Sequence, residues 1–441
     1  MGHPILSRIC LLAYLAVFNL LAPPVLLPCL PFLLLIRKRR KTIFQRLGFE
    51  SYPTSDRSTA KPVWVHALSV GELLSCVPLI RELRDHLPGK RLLLSVSTLT
   101  AHEIAAEKLG VYVDGLFYFP YDFLPAVRKC VDRVRPALFL LVETDIWPGF
   151  LAEMRRNAIP CLLLNARLSP RSLQFRRMIS HLLLPAFDTF QRIYPQSAEE
   201  AKRFVSLGLK PEKIQRPGNL KFDLAGGFPS PELIMGMRQS LNIRDEDRVL
   251  LAGSTHPGEE VMLRSAFIDL RQCSPGLKLV IVPRHPDRAA EIERLFHHDS
   301  FGVRLLSQGV PPHTDVIVVD CMGLLGSLYA LADVAFVGGS LVKKGGQNPI
   351  EPAAAGKPVL FGPDMSDFPD VSRILIEAGG AIQVQDAREL TEQCARLLGK
   401  PELAMEIGRR ARSAVVEHQG ISRTLAADIA SFLGRIEAHP A

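Results

Sequence analysis

The chain has no C-x-x-C pair; its 8 cysteines stand singly, most of them inside apolar runs. That excludes a zinc ribbon or a dithiol motif and fits a reducing compartment, where a free cysteine behaves as a small hydrophobe. No G-x-G-x-x-G follows the first apolar run of either half, so dinucleotide oxidoreduction is disfavoured. With 2 tryptophans, 7 tyrosines and no basic recognition helix, the chain also lacks the usual means of reading nucleic acid. His66, His256 and His285 do not share metal-ligand spacing with nearby carboxylates, and no metal is expected. Repeats and low-complexity tracts are absent, which argues against a solenoid.

What is present is a globular composition, 47% hydrophobic and 22% charged over 441 residues, enough for about two domains and a tail. The formal charge of +8 suits an anionic partner, either a membrane surface or a phosphorylated substrate. Ile9 to Ile36 is almost entirely apolar and runs directly into Arg37–Lys41, RKRRK. This reads as a membrane anchor of bilayer-spanning length, with the basic flank holding the bulk of the chain on the cytoplasmic side. Pro23, Pro24, Pro28 and Pro31 should kink it, so a monotopic helix or hairpin in one leaflet is the alternative.

Beyond the anchor, short apolar runs alternate with helix-like segments. Strands are expected at Val63–His66, Arg91–Val96, Gly115–Phe119, Ala137–Val142, Pro160–Asn165 and Arg192–Pro195. A second series is expected at Arg248–Ala252, Leu277–Val282, Val303–Leu305, Asp315–Val319, Val334–Val337 and Pro358–Phe361. Such alternation predicts an α/β fold with two parallel, doubly wound sheets. The division expected is residues 1–41 as anchor and basic flank, 42–222 as the first domain, 223–245 as linker, and 246–441 as the second domain with a helical tail. A cleft between two such halves would suit a two-substrate reaction.

Three stretches sit where an apolar run meets a helix pattern: AGSTHPGEE from Ala252, VPRHPDR from Val282, and GGSLVKKGGQNPIEPAAAGKPV from Gly338. Strand ends facing helix starts bind phosphate through unpaired N–H groups and the helix dipole. In the first half, Glu72 stands at a strand-to-helix turn, a place for a general base. The competing reading is a capping box, because Ser69-Val-Gly-Glu72 fits S-x-x-E.

These motifs resemble the 3-deoxy-D-manno-octulosonic acid (Kdo) transferases. The blocks are WVHALSVGE (Trp64–Glu72), VETDIWP (Val142–Pro148), NARLS (Asn165–Ser169), GNLKFD (Gly218–Asp223), STHPGEE, VPRHPDR, FVGGSLV (Phe336–Val342) and NPIEPAA (Asn348–Ala354), all in family order. Gln347, where the family often has histidine, and Asp367-Phe368, where Asn-Phe is expected, depart from the pattern.

The resemblance implies a GT-B fold and an inverting, metal-independent glycosyl transfer from CMP-Kdo to a lipid A precursor (lipid IVA) in lipopolysaccharide core synthesis, at the inner membrane and without a cofactor. The acceptor would bind the N-terminal half and CMP the C-terminal half. Glu72 matches the family's base, and Glu143 and Lys221 match residues that assist the transition state. On residue type alone, Glu143 reads as a cap or ion-pair partner and Lys221 as a solvated lysine.

In the donor half, Ser254 and Thr255 can hold a phosphate or simply cap a helix. Arg284, beside the rigid Pro283, can meet the cytidine or its phosphate, or make a surface ion pair. Met322, Gly323 and Leu324 open a helix whose backbone can read the cytosine edge. Asn348, Pro349, Ile350 and Glu351 open another, with Glu351 one turn in and able to bind ribose hydroxyls or to complement the helix dipole. Arg167, Arg171, Arg176 and Arg177, and Lys343 with Lys344, can bind lipid phosphates or form ordinary solvated faces. A UDP-sugar transferase of the same fold and a non-catalytic anchored binding protein are the alternative functions.

Overall fold

A computed structural model describes residues 4–21, 23, 24, 28, 35, 37–54, 61–168, 173, 174, 179–216, 218–224, 229–297 and 301–438. The chain divides into two compact units, residues 1–224 with 420–441, and residues 225–419.

The first unit is built on a six-stranded sheet in the order β3-β2-β1-β4-β5-β6. Its strands are β1 Val63–Ala67, β2 Leu92–Val96, β3 Gly115–Tyr118, β4 Leu138–Val142, β5 Cys161–Ala166 and β6 Phe190–Pro195, each pairing parallel to its neighbours. A parallel sheet is covered on both faces, which is why these runs are largely apolar, the edge strand β6 least so. Alternation sends Val63, Val65 and Ala67 into one core layer and Trp64 into the other, where its ring packs edge-on against Phe139 and Phe150.

The second unit carries a seven-stranded sheet in the order β13-β12-β11-β7-β8-β10-β9. Its strands are β7 Arg248–Thr255, β8 Leu277–Pro283, β9 Val303–Leu305, β10 Val316–Val318, β11 Val334–Val337, β12 Val359–Phe361 and β13 Ala381–Gln383. The sheet confirms the expected strands to within a few residues and adds β13, Ala381–Gln383, an edge strand whose run holds a partly exposed and an exposed residue.

Two expected boundaries are corrected. The tail does not stay with the second half: Ile421–Ala438 is a helix of the first unit, with Leu425, Ala426, Ile429 and Leu433 in that unit's core. Asp223, placed in a linker, caps this helix, accepting from Gly420 N at 2.7 Å and Ser422 N at 2.6 Å. Arg192 clamps Asp428 through both carboxylate oxygens at 2.7 and 2.8 Å. The rest of the expected linker is largely ordered structure. Ser230 caps helix Pro231–Ser240, accepting from Leu233 N at 3.3 Å, and Ile234 and Met237 pack on the second unit's core. Residues 225–228 lie outside the described residues.

Among the described residues no helix is long and apolar enough to cross a membrane. The apolar run gives helix Pro4–Ala16 and a π-helical turn Val17–Leu21. These pack on the first unit: Tyr14 Oη donates to Asp122 Oδ2 at 2.7 Å, and Asn19 Oδ1 accepts from Leu124 N at 2.6 Å. Most of residues 22–36 lie outside the described residues, Pro31 among them.

Candidate active site

In the first sheet the chain leaves β1 toward β2 and returns on β1's other side as β4. The turns after β1 and β4 therefore diverge, leaving the crevice at which α/β sheets bind ligands. Glu72 follows β1 and Glu143 follows β4.

Ser69 caps helix Val70–His86. Its Oγ accepts from Glu72 N at 3.3 Å, and Glu72 Oε2 accepts from Leu68 N at 2.6 Å and Ser69 N at 3.3 Å. The capping box exists. It consumes only one carboxylate oxygen, however; Oε1 accepts no hydrogen bond from the described residues. The backbone bonds fix the carboxylate's orientation and favour its charge. Burial nevertheless dominates and, with the charges of Glu143 and Asp145, pushes Glu72 up to about 8, against the two backbone bonds. Capping and proton uptake are thus compatible in one side chain.

Glu143 has a φ of 61°. This left-handed backbone, sparsely populated outside glycine and asparagine, turns the chain sharply off β4 while Glu143 N still donates to Leu164 O at 2.8 Å. The following residues are pinned as well: Thr144 Oγ donates to Arg167 O at 2.6 Å, and Trp147 Nε1 to Asp145 Oδ2 at 2.6 Å. Lys221 lies on the 3₁₀ turn Leu220–Leu224, half-buried, with its N–H held by Asn219 Oδ1 at 3.0 Å. Glu72, Glu143 and Lys221 all belong to the first unit, and the charge coupling of Glu72 to Glu143 puts these two in one electrostatic site.

His66, on β1, is not a titrating partner. It is fully buried, stacked 3.8 Å from Phe119, with Nδ1 3.0 Å from Ser95 O; burial lowers it to about 3, so it is neutral.

The second sheet reverses between β7 and β11. A Cβ on Gly338, just after β11, would lie 2.5 Å from Ser254 O, so glycine is needed for this approach. Ser254 (φ 56°) and Thr255 end β7. Neither caps the following helix: Gly258 stands at its N-cap with no side-chain bond, and Thr255 Oγ1 is buried without a partner among the described residues. A buried hydroxyl left unpaired costs about 1–3 kcal/mol.

Glu259, first in helix Glu259–Cys273, was not singled out from sequence. Its buried carboxylate accepts from His256 N (2.9 Å), Gly339 N (2.7 Å), Ser340 N (3.0 Å) and Leu341 N (3.1 Å), tying the β7 turn to the β11 turn. P-G-E-E announced the helix start and gave no sign of this long-range clamp.

The other donor-half candidates gather around these turns. Pro283 is the buried end of β8, and Arg284, exposed, donates its N–H to Thr255 O at 3.0 Å. Gln347 Nε2 lies 3.3 Å from His256 Nε2. Asn348 Oδ1 accepts from Ile350 N at 3.0 Å, and its Nδ2 lies 3.3 Å from Glu351 Oε1. The helix runs Ile350–Ala354, so Pro349 is its cap and Glu351 lies in the first turn rather than one turn in. Burial raises the Glu351 carboxyl, opposed by the Asn348 bond. A Cβ on Gly326 would lie 3.7 Å from Glu351 Oε2, which brings Glu351 beside the helix that Met322, Gly323 and Leu324 lead into. Met322 and Leu324 are exposed, and Gly323 has a φ of 89°.

Lys343 and Lys344 are exposed, whereas Arg171, Arg176 and Arg177 lie outside the described residues.

Comparison with known proteins bears directly on this arrangement. The family model described as 3-deoxy-D-manno-octulosonic-acid transferase (kdotransferase) matches residues 41–224. A 3-deoxy-D-manno-octulosonic acid transferase of Bordetella pertussis is 33% identical over 385 residues, 85% of this chain and 88% of the relative. The chain belongs to the Kdo transferase family. A Haemophilus influenzae member is 31% identical over 402 residues, 90% of this chain and 92% of its own length. Among solved structures, Anabaena Alr3699/HepE in complex with UDP has a TM-score of 0.59 at 14% identity, covering 85% of this chain and all of its own. A Neisseria meningitidis UDP-GlcNAc 2-epimerase bound to UDP-GlcNAc has a TM-score of 0.54 at 15% identity, covering 81% and 99%. These likenesses support two parallel-sheet α/β domains of the GT-B kind. Family membership makes the chain a glycosyltransferase, and the group it transfers is Kdo.

Proposed function

We propose that the chain transfers Kdo from CMP-Kdo to a lipid A precursor such as lipid IVA, with inversion and with Glu72 as general base. The observation that carries this reading is the Glu72 carboxylate: one oxygen is fixed by two backbone N–H groups, the other accepts no hydrogen bond among the described residues, and burial and Glu143 raise its proton affinity. A base so held can take the acceptor hydroxyl's proton as the new bond forms. Glu143 offsets positive charge developing on the sugar, and Lys221 meets the sugar carboxylate or the departing phosphate. In the second unit, the unpaired Thr255 hydroxyl, the neighbouring Ser254 and the exposed Arg284 take the CMP phosphate. Met322–Leu324 and Glu351 read the cytosine and the ribose.

The chain works at the cytoplasmic face of the inner membrane, attached by its N-terminal helix lying along the surface. Tyr14 and Asn19 hold that helix to the first unit, while Leu6, Ile9, Leu12, Val17, Phe18 and Leu20 are exposed. Such an apolar strip, with Arg39, Arg40 and Lys41 exposed nearby in sequence, is the make-up of an interfacial helix on anionic lipid.

Mass spectrometry of the purified protein incubated with CMP-Kdo and tetra-acylated lipid A precursor tests the reaction: a gain of one or more Kdo masses is expected. An unchanged acceptor, with CMP-Kdo intact, would refute it. Flotation with anionic vesicles tests the attachment; loss of residues 1–21 should release the protein into the unbound fraction, and undiminished flotation would refute it.

A further inference from the structure

Asn165 is 1% exposed and stands next to last in β5, yet its φ is 52°. This left-handed residue breaks the β5–β6 register between Leu163 and Ala166. Asparagine tolerates such a backbone better than most residues, but glycine would adopt it with less strain. The side chain must therefore supply something glycine cannot.

Its contacts show what that is. Asn165 Oδ1 accepts from Leu220 N at 3.1 Å, and Asn165 O accepts from Gln196 Nε2 at 3.1 Å. The Leu220 N–H fixes which way the amide faces, since only an oxygen can accept from it. Nδ2 is then left buried with no partner among the described residues. A residue kept for packing alone would carry neither the strained backbone nor the orphaned amide.

Leu220 opens the turn that carries Lys221. One residue before Asn165, Leu164 O accepts from Glu143 N at 2.8 Å. Adjacent residues of β5 thus hold the Glu143 backbone on one side and the start of the Lys221 turn on the other.

We infer that Asn165 is a positioning residue for the transfer reaction, setting the Lys221 turn against the end of the strand that carries Glu143. The inference rests on the proposed roles of Lys221 and Glu143 and adds the device that holds them in register.

Kinetics of Asn165→Gly, Lys221→Ala and the double variant test it, alongside melting temperatures and CMP affinity. Asn165→Gly keeps the left-handed backbone, so its melting temperature should stay within a few degrees of wild type and CMP affinity should be unchanged. kcat should fall about 10–100-fold, and Lys221→Ala should then cost less than threefold more in that background, because the lysine is already out of place. Asn165→Asp keeps the acceptor for Leu220 N–H and adds a charge near Glu143. It should preserve the full Lys221→Ala penalty and move the acidic limb of the pH–rate profile upward. Asn165→Gly with kcat within twofold of wild type, or with a fully additive Lys221→Ala effect, would overturn the inference. Should Lys221→Ala by itself leave kcat unchanged, the role of Lys221 falls first and this inference falls with it.

Discussion

The strand order reverses in the same way in the two sheets, around β1 and β4 in one unit and β7 and β11 in the other, but the side chains at the two reversals do opposite things. At β1/β4 carboxylates are gathered: burial and the charges of Glu143 and Asp145 raise the proton affinity of Glu72, and the backbone offers it only two N–H groups in compensation. At β7/β11 a single buried carboxylate, Glu259, receives four backbone N–H groups and is locked into the fold. One topology thus leaves a carboxylate under-served by N–H donors at one reversal and makes a structural clamp of an amply served one at the other. Burial raises both groups; the like charges of Glu143 and Asp145 and the smaller supply of N–H donors set Glu72 apart.

The largest expected effect tests whether the units are equally self-contained. Removing residues 420–441 strips Leu425, Ile429 and Leu433 from the first unit's core, and the first unit should fail to fold. Residues 225–419, made alone, should still show a cooperative melt. Circular dichroism of both fragments decides it; a normally folded truncated first unit would break the comparison.

Next comes the under-served carboxylate. Glu72→Gln should lower kcat by about 10³-fold and leave CMP affinity near normal, measured by product formation and titration calorimetry. Wild-type turnover in this variant would make Glu72 a cap and nothing more.

The pH dependence sharpens the same point. A base that ionises near 8 should make kcat/KM rise with pH, roughly fivefold between pH 7 and 8. Stability runs the other way. The folded carboxyl holds its proton above the ordinary value of 4.5, so wild type sheds stability as pH climbs from there toward about 8. Glu72→Gln has no proton to lose, and its melting temperature should gain on wild type across that window and match it below. A difference independent of pH would remove the electrostatic account.

The smallest effect lies in the second unit. Thr255→Val replaces an orphaned hydroxyl with a methyl group of similar shape. Melting temperature should hold or rise slightly, while CMP affinity drops about fivefold if that hydroxyl meets the phosphate. Unchanged affinity would show that the hydroxyl serves neither fold nor ligand.

Much of this was legible beforehand, for definite reasons. Strands buried on both faces write themselves as apolar runs, so β1, β4, β7 and β8 were visible, and S-x-x-E marked the Ser69–Glu72 cap. Interactions between residues remote in sequence leave no local pattern. Nothing near Asp223 announces that it caps a helix 197 residues onward, and the closing helix's amphipathic spacing fits either unit's core. Pro257-Gly-Glu-Glu predicts a helix start but cannot say that Glu259 turns back to hold Gly339. The turns ending β7, β8 and β11 were legible because glycine and proline breaks follow their apolar runs; the raised proton affinity of Glu72 depends in part on Glu143, 71 positions away, and emerges only when both strands are side by side.

The closing helix has a consequence for how the molecule comes into being. Residues 225–419 are contiguous, so the second unit can be completed as soon as they have been synthesised. The first unit, although begun earlier, lacks one wall of its core until Ile421–Ala438 is made. Synthesis therefore finishes the two halves in reverse order of their appearance. The carboxylates at β1 and β4 sit in an incomplete fold until that helix has been added, by which time residues 225–419 have already been made.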